Sequence, residues 1–118
     1  MYLLTELDSL SALKDNWDTY GAEAPSAEAV NAAKNLIAAL GKKDPKPYRV
    51  GPSARGGVAV TFANGTRSYM FEFFNDGDIS SVWSDGRGNI DAEELVEGQP
   101  WDSVLLKVGA FLGLDPEG

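Results

Sequence analysis

At Val58 the spacing of apolar residues changes from the three-and-four rhythm of the helical stripes before it to alternation, so a run of strands begins there. Val58 to Ala63 and Arg67 to Phe74 flank a turn around Asn64-Gly65, a pair favoured in tight hairpins because both residue types tolerate positive φ. Asn75-Asp76-Gly77-Asp78 turns the chain again into Ile79 to Ser84. This predicts a three-stranded antiparallel meander, with Tyr48-Arg49-Val50 as a short fourth strand at its edge.

With two residues in each turn, the register sorts the side chains onto two faces. Val58, Val60, Phe62, Tyr69, Phe71, Phe73 and Val82 fall on one, which is assigned to the core. The other collects Ala59, Thr61, Ala63, Ser68, Met70, Glu72, Phe74, Ile79, Ser81 and Trp83. Four large apolar groups around a central carboxylate fit either partial cover by a helix or a patch that meets a partner.

Over residues 3–13, Leu3, Leu7, Leu10 and Leu13 form one apolar helical stripe. Ser26 is an N-cap with Glu28 in the first turn; Val30, Ala33, Ile37 and Leu40 follow as a stripe flanked by Leu36, and Gly41 stops it. Asp44-Pro45-Lys46-Pro47 is a stiff linker. After the strands comes the glycine-rich turn Asp85 to Asn89, with Asp91 to Val96 expected as a short helix. Pro100 opens the last helix, whose apolar side carries Trp101, Val104, Leu105, Val108, Phe111 and Leu112 before Gly113. The expectation is one α+β domain over residues 1–118: two N-terminal helices, a three- or four-stranded antiparallel meander, and a C-terminal helix across it.

Two absences narrow the chemistry. The 118 residues include no cysteine and no histidine, which removes thiolate chemistry, disulfides, the commonest zinc ligand and the commonest general base. Asp85, Asp91 and Glu94 fall at the third, ninth and twelfth places of a calcium-loop pattern, but Trp83 and Arg87 stand where two oxygen ligands belong. Gly51 to Gly57 lacks the helix and the Lys-Ser/Thr pair of a phosphate cradle. Glu72, placed opposite Ser81, is the sole strand carboxylate in an apolar setting, and one carboxylate without a second positioned group defines no reaction. No catalytic residue, metal or cofactor is expected, and the chain reads as a non-enzyme.

The net charge of −8 is unevenly spread: residues 1–33 carry −5, residues 34–71 carry +6 and residues 72–118 carry −9. Such segregation steers towards basic partners, and it also serves solubility. With this balance and no basic fold signature, direct nucleic-acid binding is not expected. Nowhere do eighteen apolar residues run together, and Met1 to Glu6 lacks a basic leader, so a soluble cytoplasmic protein is expected.

Trp17 and Tyr20 lie in Asn16-Trp17-Asp18-Thr19-Tyr20-Gly21-Ala22-Glu23-Ala24-Pro25-Ser26, which joins the first two helical patterns. Two large aromatics in one connection predict a loop that folds back and plugs into the core. The run resembles the W-D-G-Y-G-A-x-x-P-S signature of small proteins encoded by bacteria and their phages. Trp17, Asp18, Tyr20, Gly21, Ala22, Pro25 and Ser26 match it, Thr19 replaces a usual glycine, and Glu23 departs from a usual small residue or proline. The resemblance covers roughly the first forty residues; it implies a prokaryotic or phage origin and no particular activity.

The functional expectation is a non-catalytic, acidic binding protein that works by stoichiometric protein–protein contact. With the phage resemblance, its specific form is an anti-CRISPR-like inhibitor of a nucleic-acid-binding defence complex. An antitoxin or immunity protein for a co-encoded toxin, or a self-associating structural protein, are the alternatives. Asp76, Asp78, Asp85, Asp91, Glu93, Glu94 and Glu97 are the candidate charges, with Met70 and Trp83 as apolar anchors beside Glu72.

Overall fold

The computed structural model describes residues 7–10, 12–40, 46–95 and 100–113. Residues 7–10 are helical, and the backbone N–H groups of Ala12 and Leu13 close tight turns onto Ser9 and Leu10. After the loop, α1 spans Ala27–Ala39. Ser26 Oγ caps it by accepting from the Ala29 N–H at 3.1 Å, and Glu28 lies in its first turn. Its buried stripe is Ala29, Val30, Ala33, Leu36 and Ile37.

Five strands follow where three or four were expected: β1 Arg49–Ser53, β2 Gly57–Asn64, β3 Arg67–Phe74, β4 Ile79–Ser84 and β5 Ile90–Leu95. All neighbours pair antiparallel in the order β1-β2-β3-β4-β5. Ile90–Leu95 was expected to enter a helix from Asp91; it pairs along β4 instead, because the glycine-rich turn at 85–89 returns the chain beside the open edge. The acidic residues that read as a helix start are tolerated there because an edge strand leaves their side chains in water.

The two hairpins differ by one residue. Between β2 and β3, Asn64 pairs with Arg67, leaving the two-residue turn Gly65-Thr66. Between β3 and β4, Phe73 pairs with Ile79, the Phe74 N–H donates to Asp78 O, and the Gly77 N–H donates to Phe74 O. That is a three-residue loop, and its last residue, Gly77, takes φ 95°. One extra residue turns all of β4 over. Ile79, Ser81 and Trp83 therefore share a face with Phe71 and Phe73, while Val82 moves to the opposite face beside Met70. The two-residue reading of this turn placed each of these four the other way.

The α1 helix and the helix that follows the sheet pack on the face formed by Val58, Val60, Phe62, Tyr69, Phe71 and Phe73, and Leu7 and Leu10 of the N-terminal helical turn join the same core. The second, α2, spans Trp101–Leu112, follows Pro100 at its N-cap and ends at Gly113 with φ 72°. Its aromatics interlock with the sheet: Phe71 meets Trp101 edge-on at 5.6 Å, Tyr69 meets Phe111 at 5.8 Å, and Trp83 lies 5.0 Å from Phe111. The β2–β3 hairpin satisfies the helix end, since Asn64 Nδ2 donates to Leu112 O at 2.8 Å and Arg67 Nη1 to Phe111 O at 2.7 Å. The other face, here called the open face, is covered by neither α1 nor α2. No described helix is long and apolar enough to cross a membrane.

Candidate functional site

The segment Asp15 to Ser26 is held by side chains acting on backbone. Asp15 Oδ1 accepts from the Ala24 N–H at 3.0 Å, Asn16 Oδ1 from Gly21 at 2.7 Å, and Asp18 Oδ1 from both Tyr20 at 2.9 Å and Ala22 at 3.0 Å. The Asn16 N–H donates to Ala22 O at 2.7 Å, closing the loop at its base. Trp17 Nε1 donates to Glu23 O at 3.1 Å, so the half-buried indole clamps the loop rather than entering the core.

Asn75 fastens this loop to the sheet. Its Oδ1 accepts from the Ser26 N–H at 2.7 Å and its Nδ2 donates to Ala24 O at 2.9 Å. Its own N–H donates to Gly56 O at 3.0 Å, so one residue joins the loop, the β1–β2 turn and the β3–β4 turn.

The backbone at the tip is strained. Asn16 and Thr19 take φ 66° and 64°, a region that asparagine tolerates and a β-branched residue resists. The conformation leaves Tyr20 at the tip with 91% of its surface in water, which overturns the expectation that it plugs the core. By composition alone, an aromatic in a loop reads as an apolar group in search of cover. The visible signal for the opposite outcome was the row of Asp15, Asn16 and Asp18, short side chains that bond backbone two to nine residues ahead.

The proposed contact residues disperse. Asp76 and Asp78 flank Gly77 in the β3–β4 turn, next to Asn75 and so at the loop's end of the sheet. Asp85 lies at the far end, where Gly86 packs against Thr66 O of the β2–β3 turn. Its carboxylate is spent on its own turn: Oδ2 accepts from Asn89 Nδ2 at 2.7 Å and Oδ1 from the N–H groups of Arg87 and Asn89. These bonds, Asn89's side chain first and then the Arg87 N–H, hold its pKa below the ordinary carboxylate value.

Asp91 and Glu93 point to the helix side of β5, where Glu93 is 3.5 Å from Lys107 Nζ, and Glu94 points to the open face. Asp91 and Glu94 thus lie on opposite faces of one strand, and a strand stands where a calcium loop needs its second helix. No described group of three or more acidic side chains is placed to hold a metal. Trp83 packs under α2 against Phe111 and is not on the open face with Met70. Glu97 lies outside the described residues.

The open face is ordered in cross-strand rows. Arg49, Thr61, Met70, Val82 and Ala92 form one; Gly51, Ala59, Glu72, Ser80 and Glu94 form the next. Glu72 is 6% exposed, and its partner across β4 is Ser80, not Ser81, which is buried on the helix side. The register thereby separates the two residues of the sequence-proposed pair. Ser53 Oγ donates to Glu72 Oε2 at 2.9 Å, and Arg55 Nη1 lies 3.7 Å from Oε1. Gly57 and Ala59 carry too little side chain to block this reach from β3 to β1, so Glu72 is a satisfied carboxylate that ties the edge strand on.

Comparison of the chain with known protein families, with curated proteins and with solved structures returns no match.

Proposed function

We propose that the chain is a non-catalytic binding protein acting by stoichiometric protein–protein contact, and that the end of the sheet bearing Tyr20 meets the partner. The observation that carries this reading is Tyr20 itself, 91% exposed on a loop whose backbone is strained at Thr19 and fixed by Asp15, Asn16, Asp18 and Asn75. A loop whose backbone is already fixed loses little conformational freedom on binding, and tyrosine, with few rotatable bonds, is enriched among the residues that dominate interface energy. Strain of this kind collects where a protein makes contacts.

Asp76 and Asp78, on the turn that Asn75 fastens to the loop, give this end a negative rim and favour a partner with a basic one. Together with the resemblance of Trp17 to Ser26 to small phage proteins, this makes an anti-CRISPR-like inhibitor of a nucleic-acid-binding defence complex the specific form of the proposal. The tagged protein is used to capture partners from a prokaryotic lysate, and the recovered partner is then purified and titrated by calorimetry. Tyr20→Ala is expected to weaken a saturable complex of fixed stoichiometry by about thirtyfold, a loss of ~2 kcal/mol. Asp76→Asn with Asp78→Asn is expected to slow association and flatten its salt dependence. A complex indifferent to all three changes refutes this surface.

A further inference from the structure

A cleft of 150 Å³ opens on the open face, lined by Arg49, Gly51, Pro52, Ala59, Thr61 and Met70. Its floor exists because the register sets Gly51 opposite Ala59, two residues without a long side chain, beside the Arg49–Thr61–Met70 row. Arg49 leans over that floor: its Nε lies 3.8 Å from where a Cβ on Gly51 would stand. The guanidinium has no ion-pair or hydrogen-bond partner among the described residues, in contrast with Arg55 and Arg67. The Thr61 hydroxyl, its cross-strand neighbour, is likewise unpartnered among them.

An arginine always carries its charge and offers only donors, in a planar fork that matches a carboxylate. Met70 supplies an adaptable apolar wall. Space on the order of 150 Å³ holds a body the size of benzene, well below a drug-sized pocket of about 300 Å³ or more. Glu72, one row away beside Ala59, disfavours any occupant with more than one negative charge.

We propose that this cleft binds a small apolar monocarboxylic acid, with its carboxylate on the Arg49 fork and the Thr61 hydroxyl and its apolar stem over Ala59 against Met70. The site is independent of the Tyr20 loop and does not rest on the partner proposed for it. The test is a titration of the ¹⁵N-labelled full chain at low salt with benzoate, and in parallel with benzamide, which keeps the ring and removes the charge. Benzoate is expected to give saturable shifts confined to the amides around Gly51, Ala59, Thr61 and Met70, with benzamide at least tenfold weaker.

Arg49→Gln, at an exposed edge position, is expected to abolish the preference for benzoate. Ala59→Leu is expected to fill the floor and abolish both responses. Equal binding of the two ligands, a benzoate response that survives Arg49→Gln, or shifts that grow linearly without saturating each overturn the proposal. So does a response only to short peptides ending in a free carboxylate, which would make the cleft a docking point for a protein terminus.

Discussion

Replacing Thr19 with glycine should stabilise the protein by about 0.5–1 kcal/mol, an unusual direction for a glycine substitution. Thr19 has φ 64°, where an L-residue sits about 1–2 kcal/mol above its right-handed minimum and a β-branched one is at the upper end. Its side chain is exposed, and the hydrogen bond at this position runs from its backbone N–H to Asn16 O, which glycine keeps. Against the relieved strain stands the greater freedom of glycine in the unfolded chain, about 0.4–1 kcal/mol. The net gain should appear in urea unfolding as a rise in midpoint of about 0.5 M at unchanged slope, for a slope of ~1.5 kcal/mol/M. Asn16→Gly is the control. It also has positive φ, yet asparagine tolerates the region, and its Oδ1 accepts from the Gly21 N–H at 2.7 Å, so it should lose about 1 kcal/mol. A loss in Thr19→Gly, or a gain in Asn16→Gly larger than that of Thr19→Gly, would refute the account of strain.

Asn75→Ala removes the acceptor for the Ser26 N–H and the donor to Ala24 O, so it should cost about 2 kcal/mol and speed amide exchange selectively at Ser26 and its neighbours; uniform exchange across the chain would contradict this. Gly57→Ala sets a methyl 2.0 Å from Phe73 O at φ 144°, and a thermal melt should show a loss of about 3 kcal/mol or failure to fold; a wild-type melt would mean that β2 and β3 are not so close. For Asp85, whose folded pKa is depressed, the linked stability is present above the ordinary carboxylate value near ~3.9 and is lost as pH falls through the folded pKa. A carboxyl NMR titration should place its midpoint below that value, and Asn89→Ala should move it upward; an unmoved midpoint would show that Asn89 is not the main cause.

The fold was legible wherever periodicity alone decides it. The α1 stripe, its Ser26 cap, the α2 stripe and the pairing of β2 with β3 all follow from spacing, because each element buries one face and the apolar residues record which. β5 escaped this logic. An edge strand with nearly every residue in water needs no apolar alternation, so Ile90–Leu95 carries three carboxylates and no strand signal. Its pairing is imposed by the turn at 85–89, where Asp85 gathers the N–H groups of Arg87 and Asn89 and delivers the chain to the edge of β4.

The candidate surfaces were harder to read than the fold, and one residue accounts for much of the difference. Asn75-Asp76-Gly77 and a two-residue turn look alike in composition, since both call for Asn, Asp and Gly, but they differ in length by one, and a strand converts that difference into a change of face. Trp83 passes from the open face to the core, where Phe111 meets it, and Val82 takes its place beside Met70. The open face is thereby less aromatic than composition implies, and the aromatics left most in water are Tyr48, just before β1, and Tyr20, in a loop that apolar periodicity does not address. Its exposure follows from hydrogen bonds between short polar side chains and backbone, which depend on angles at Asn16 and Thr19 that residue spacing does not encode. The two surfaces therefore call for different probes. Register governs the open face, so lengthening or shortening the 75–77 turn should disturb it, whereas the Tyr20 surface should respond first to the caps at Asn16, Asp18 and Asn75.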